Sequence, residues 1–234
     1  MENEQTIVFV LMLTAAQIGV LHTLIGPDHY LPFVALAKCR NWSYIKTLLI
    51  TFVCGFAHTL SSVIIGAVGI FIGASAGVLE KIEGSRADIV KWLLLGFALA
   101  YVVYGFKRAL GKDYLHSHAD GTVHSHRGLF GHSHSHKLSN DANFWLMFLI
   151  FAFGPCEALI PMVMEPASRS DWGGVVAIFV VFSVATISTM LVMVSFLTFG
   201  LGKFHFPTEF FKRWGSLLTG IVILICSILM FVGL

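Results

Sequence analysis

Apolar residues run through this chain in long blocks with few charges, roughly 6–26, 46–74, 89–108, 143–164, 172–201 and 213–234. About 20 apolar residues cross a bilayer as a helix, so each block predicts a membrane span. The first block does not end cleanly, because Tyr30 to Ala37 is apolar as well. Together these residues are too many for one straight crossing. They predict a broken helix, or a crossing followed by a re-entrant piece.

Two segments inside the apolar blocks echo each other. Gly26-Pro27-Asp28-His29-Tyr30-Leu31-Pro32 returns as Gly154-Pro155-Cys156-Glu157-Ala158-Leu159-Ile160-Pro161. Ala57-His58-Thr59-Leu60-Ser61 and Ala185-Thr186-Ile187-Ser188-Thr189 extend the likeness weakly. The echo divides the chain into two halves of three spans each, and an odd number of spans makes the second copy opposite in topology. The expected fold is all-α: a polytopic membrane protein of six transmembrane helices, arranged as two inverted three-helix repeats broken at the Gly-Pro motifs. The expected units are a first membrane repeat over 1–109, a His-rich loop over 110–142 and a second repeat over 143–234.

Composition agrees. Of 234 residues, 56% are hydrophobic and only 12% charged, and the mean hydropathy of +0.82 excludes an ordinary soluble domain. The opening Met1-Glu2-Asn3-Glu4-Gln5 has no positive region, so the first block is expected to stay in the membrane. Eleven Lys and Arg fall between spans one and two, three and four, and five and six; Lys81, Arg86, Lys91 and Arg169 fall on the other side. By the positive-inside rule, both termini face out and the central loop is cytoplasmic, in a prokaryotic inner membrane. Cys39, Cys54, Cys156 and Cys226 form no CxxC and no disulfide framework. The net charge of +2 is scattered over loops, which argues against nucleic acid as a partner.

Ionisable groups at hydrocarbon depth are costly and usually functional, and irregular backbone there is tolerated only where it lines a cavity. On an unbroken helix His22 and His29 would lie about 10 Å apart along the axis, too far for one small cation. Gly26-Pro27 removes a helix hydrogen bond and lets His22, Asp28 and His29 gather around one point. His58, mid-span with Cys54 four residues earlier, either completes that site or hydrogen-bonds Asp28. Glu157 beside Cys156 is a candidate ligand, proton acceptor or histidine partner. The candidate metal ligands are therefore His22, Asp28, His29, His58, Cys156 and Glu157. Gly69, Gly73 and Gly77 predict a close-packing face on the second span.

Leu110 to Ala142 differs in kind, holding His116, His118, His124, His126, His132, His134 and His136 among Gly, Ser and Asp. It cannot bury enough apolar surface to fold alone and is expected to be disordered without metal, and its His-x-His spacings suit divalent-metal capture.

The run His22-Thr23-Leu24-Ile25-Gly26-Pro27-Asp28-His29 resembles the signature of the nickel/cobalt transporter family, in its urease-accessory-like permease branch. Here five residues separate His22 from Asp28, where the commonest permease form has four. The resemblance covers the first quarter of the chain; six spans and a His-rich cytoplasmic loop add to it. It implies that His22, Asp28 and His29 recognise the metal, with a cytoplasmic metallochaperone as a possible partner. Membrane thiol-disulfide carriers of the cytochrome-maturation type share a plan of two three-helix halves, each with Pro-Cys at a break. Here the first half has Pro27-Asp28 instead, and a redox shuttle lacks its second thiol.

The expected function is transport of a divalent transition metal, nickel or cobalt first, by alternating access. No enzymatic activity is expected, and the metal is cargo, not a prosthetic group. Mixed imidazole and carboxylate ligands suit such ions better than Ca²⁺ or Mg²⁺. The alternatives are a redox carrier using Cys156 with Cys54 or Cys39, and a non-transporting metal sensor or accessory protein working through the histidine loop.

Overall fold

A computed structural model describes residues 2–110, 113–117, 123–127, 140–154, 156, 159–202 and 208–233. The chain is an α-helical membrane protein. Among the described residues, five helices are long and apolar enough to cross a bilayer: those within α1 (Glu2–Ile25), α3 (Tyr44–Phe71), α4 (Ala76–Leu110), α7 (Trp172–Gly202) and α8 (Thr208–Val232). α2 (Leu31–Arg40) follows α1, and the pair α5 (Asn140–Phe153) and α6 (Leu159–Ser168) fills the region expected as span four.

The first apolar block is broken, as its length demands. α1 stops at Ile25, Pro27–His29 form a single 3-10 turn, and Leu31 starts α2. Pro27 and Pro32 sit in the first turns of these elements, where the missing N–H costs nothing. Span four is interrupted at the corresponding motif, so neither α5 nor α6 reaches the length of a crossing by itself.

The short helices end in left-handed residues, Asn41 (φ 52°) after α2 and Ser170 (φ 61°) after α6. A cap follows each. The Ser43 hydroxyl accepts from the Lys46 amide at the start of α3, and the Asp171 carboxylate accepts from the Gly174 amide at the start of α7.

α4 departs most from expectation. It begins at Ala76, well before residue 89, and its 35 residues make a rod of about 52 Å. Lys81 and Arg86, expected in a loop, are therefore helical. Asp88 pairs with Lys91 on α4, and Glu83 with Arg86. The glycine stripe is also redistributed. α3 ends at Phe71, Gly73 has φ +71° in the turn, and Gly77 lies in α4 with open space beside it. Only Gly69 packs closely, against the Leu79 side chain.

α1 packs on α7, α5 on α3, and α4 on α8. The α4–α8 crossing is a near backbone-to-backbone contact: a Cβ on Gly220 would stand 2.6 Å from the Val102 amide, and one on Gly105 would overlap the Leu217 backbone. Small residues permit that approach where no hydrophobic force drives helices together. The main buried cluster, including Phe33, Leu36, Tyr101, Met147 and Met190, lies where the helices meet. Phe9, Ile45, Phe71, Trp92, Val192 and Phe196 point outward, as lipid contact requires.

In the His-rich segment, β1 (Asp113–Ser117) and β2 (Val123–Arg127) pair antiparallel, with His116 opposite His124. His118, His132, His134 and His136 lie outside the described residues.

Candidate metal centre

The break after α1 and the middle of α3 bring three imidazoles together. His22 comes from the last turn of α1, His29 from the 3-10 turn and His58 from α3. One ring nitrogen of each lies within 4.8 Å of those of the other two. The rings meet edge to face, with centroids 4.7 Å apart for His22–His29 and 5.3 Å for His29–His58. Three nitrogens at about 2.1 Å from one ion stand about 3.4–3.6 Å apart, so inward shifts of under about 1 Å at each ring would close the set.

Backbone carbonyls orient two of these rings. His29 Nδ1 lies 3.2 Å from the Gly26 carbonyl and 3.3 Å from Asp28 Oδ1. His58 Nδ1 lies 3.2 Å from the Phe151 carbonyl. A carbonyl only accepts, so in the neutral rings Nδ1 donates and Nε2 carries the lone pair. Both acceptors belong to the last residues before a break. Among the described residues, His22 Nε2 is buried with no hydrogen-bond partner. Leaving a buried polar atom unpaired is costly, so this nitrogen is available to a ligand.

The two glycines make room for these rings. Gly26 has φ −82°, which any residue adopts. A Cβ there, however, would stand 2.7 Å from His29 Nδ1 and 2.9 Å from Asp28 Oδ1. At Gly154 a Cβ would stand 2.7 Å from His58 Nδ1. Space, more than backbone freedom, is what glycine supplies at both breaks.

Asp28 sits beside His29 and outside the compact trio, where its carboxylate can hold the ring's Nδ1–H. His58 does not hydrogen-bond Asp28; its partners are the Phe151 carbonyl and Cys156, whose Sγ is 3.1 Å from His58 Nε2. Cys156 is 1% exposed and also lies outside the trio. Cys54 packs into the main core cluster. Glu157 lies outside the described residues. Among the described residues all four cysteines are free, and the neighbour of Cys156 is an imidazole.

Glu83 and Arg86 escape sequence reading. Both are buried, and they form an ion pair on α4. The Arg86 guanidinium donates to Ser61 Oγ at 2.8 Å and to the Ala152 and Gly154 carbonyls at 3.2 and 3.3 Å. Glu83 Oε2 accepts from the Cys156 amide at 3.1 Å and from Ser62 Oγ at 3.1 Å. A cavity of about 760 Å³ runs from His22, His29 and His58 to Glu80 near the start of α4 and Gly233 after α8.

No family model, curated protein or solved structure matches the chain.

Proposed function

We propose that this protein carries a divalent first-row transition metal across a membrane, nickel or cobalt first, by alternating access through the His22–His29–His58 cluster. The convergence of three imidazoles at a helix break inside apolar spans carries the proposal. Imidazole nitrogens gathered in a buried cluster suit borderline cations, and Asp28 balances charge beside them. The resemblance of His22 to His29 to the nickel/cobalt transporter signature points the same way.

An inverted repeat supplies the moving parts. The same interval separates Gly26 from Gly154, Leu31 from Leu159, Ser43 from Asp171, Tyr44 from Trp172 and His58 from Thr186. Each half then reads as a helix, a break, a ten-residue helix and two long helices. The exchanged packing of α1 on α7 and α5 on α3 suits a two-fold relation. On this plan α5 and α6 together make a sixth crossing, and the two halves rock about the cluster. The His-rich segment gathers or delivers metal on the cytoplasmic side, with both termini outside.

The test is metal flux in proteoliposomes across Ni²⁺, Co²⁺, Zn²⁺, Fe²⁺ and Mn²⁺. Flux should be present for at least one of these ions and lost in His22→Ala. Equal flux in His22→Ala and in the unchanged chain refutes the proposal.

A further inference from the structure

We propose that Glu83 and Arg86 act as a clamp that positions the second break and, through it, sets Cys156 against His58. Breaking a helix strands carbonyls on one side and amides on the other, and in a membrane no water is at hand to satisfy them. At Gly154–Cys156 one ion pair meets both needs. The guanidinium takes the Ala152 and Gly154 carbonyls, and the carboxylate takes the Cys156 amide. Ser61 and Ser62 of α3 complete the ring, with Ser62 Oγ accepting from Cys156 N at 3.2 Å and from Arg86 at 3.3 Å.

The clamp ties together α3, α4 and the two ends of the break. His58 stands one helical turn before Ser61 and Ser62, and Cys156 hangs from the clamped amide. The Sγ–Nε2 contact of 3.1 Å is therefore fixed from both sides. The first break has no such device among the described residues. Its carbonyls are held locally, Gly26 by His29 and Leu24 by the Tyr30 hydroxyl. A planar, permanently charged fork suits the task, since it serves several acceptors in one plane.

Two readouts on the full-length chain separate this proposal from the metal reading, on which only the second rests. In a Cys39→Ser, Cys54→Ala, Cys226→Ala background, Cys156 is the only thiol, and its N-ethylmaleimide labelling rate reports the break directly. Arg86→Met should raise that rate at least about tenfold. Removing one partner leaves an unpaired buried charge and lowers stability, so Glu83→Gln/Arg86→Met is the decisive variant. It should recover thermal stability while its labelling stays fast. Labelling as slow as in the parent, in this stable double variant, overturns the clamp.

The second readout is Co²⁺ titration, followed by d–d absorbance. The double variant should bind about tenfold more weakly, because His58 loses its fixed neighbour. Unchanged affinity with fast labelling overturns the positioning of His58. If the parent itself binds no Co²⁺, the metal reading fails while the labelling rates still decide the clamp.

Discussion

His29 and His58 use the same device from different helices: each sets Nδ1 3.2 Å from a carbonyl just before a break, Gly26 for one and Phe151 for the other. The breaks thus do more than open space. These carbonyls, which also accept the His29 and Gly154 amides, select the ring tautomer and place the lone pair on Nε2 in both neutral rings.

Asp28 should matter through His29 more than by direct contact. Asp28→Asn keeps the size but weakens the acceptor at His29 Nδ1, and loss of such partners typically lowers metal affinity about 10- to 100-fold. Calorimetric titration of Co²⁺ or Ni²⁺ should show this, with His29→Ala more severe. An Asp28→Asn variant that binds as tightly as the parent would put the carboxylate outside the site.

Gly26→Ala and Gly154→Ala test the space requirement. Each added methyl meets an imidazole nitrogen at 2.7 Å, so the ring must shift. Metal binding should fall at least about tenfold in both. By contrast, Gly77→Ala meets nothing and should leave binding unchanged, replacing a poor helix former with a good one.

Metal should stabilise the fold by mass action. At a hundredfold excess over Kd, one site contributes about 2.7 kcal/mol, which raises Tm. The shift should appear with Ni²⁺ or Co²⁺, vanish in His22→Ala, and be absent with Mg²⁺. A rise that survives His22→Ala would place the bound ion elsewhere, with the His-rich segment first in line.

The α4–α8 crossing should tolerate no side chain. Gly220→Val would push a branched chain onto the Val102 backbone, and Gly105→Val onto Leu217. Both should reduce the yield of folded, monodisperse protein in detergent. Overpacking of this kind usually costs about 1–3 kcal/mol or more.

Much of the site can be read from residues alone, because its features violate membrane norms. Gly-Pro inside an apolar block, and imidazole or carboxylate beside it, have few explanations other than a cavity. His58 stands out for the same reason. Its partners do not, since Phe151 offers only a backbone carbonyl and Cys156 lies far along the chain. The α4 charges mislead in another way. Glu80, Lys81, Glu83, Arg86 and Asp88 look like a loop by polarity, yet no proline interrupts them and the pairs Glu83–Arg86 and Asp88–Lys91 bond along a helix. The glycine run Gly69, Gly73, Gly77 shows the limit of spacing as a signal. It fits one face on paper, but the helix ends between the first and second members.

Charged side chains of α4 that line the cavity of the imidazoles have an electrical consequence. Lys91 lines the same cavity as His58, and neighbouring Asp88 leaves its carboxylate side chain 73% exposed. On the transport reading proposed above, water around such groups would make the cavity a conducting extension of one bulk phase. The voltage across a bilayer then falls mainly over the sealed remainder of the protein. A divalent cation released toward the sealed side would traverse most of that drop, worth about 4.6 kcal/mol per 100 mV for two charges. Membrane potential, as much as concentration, would then set the direction of flow.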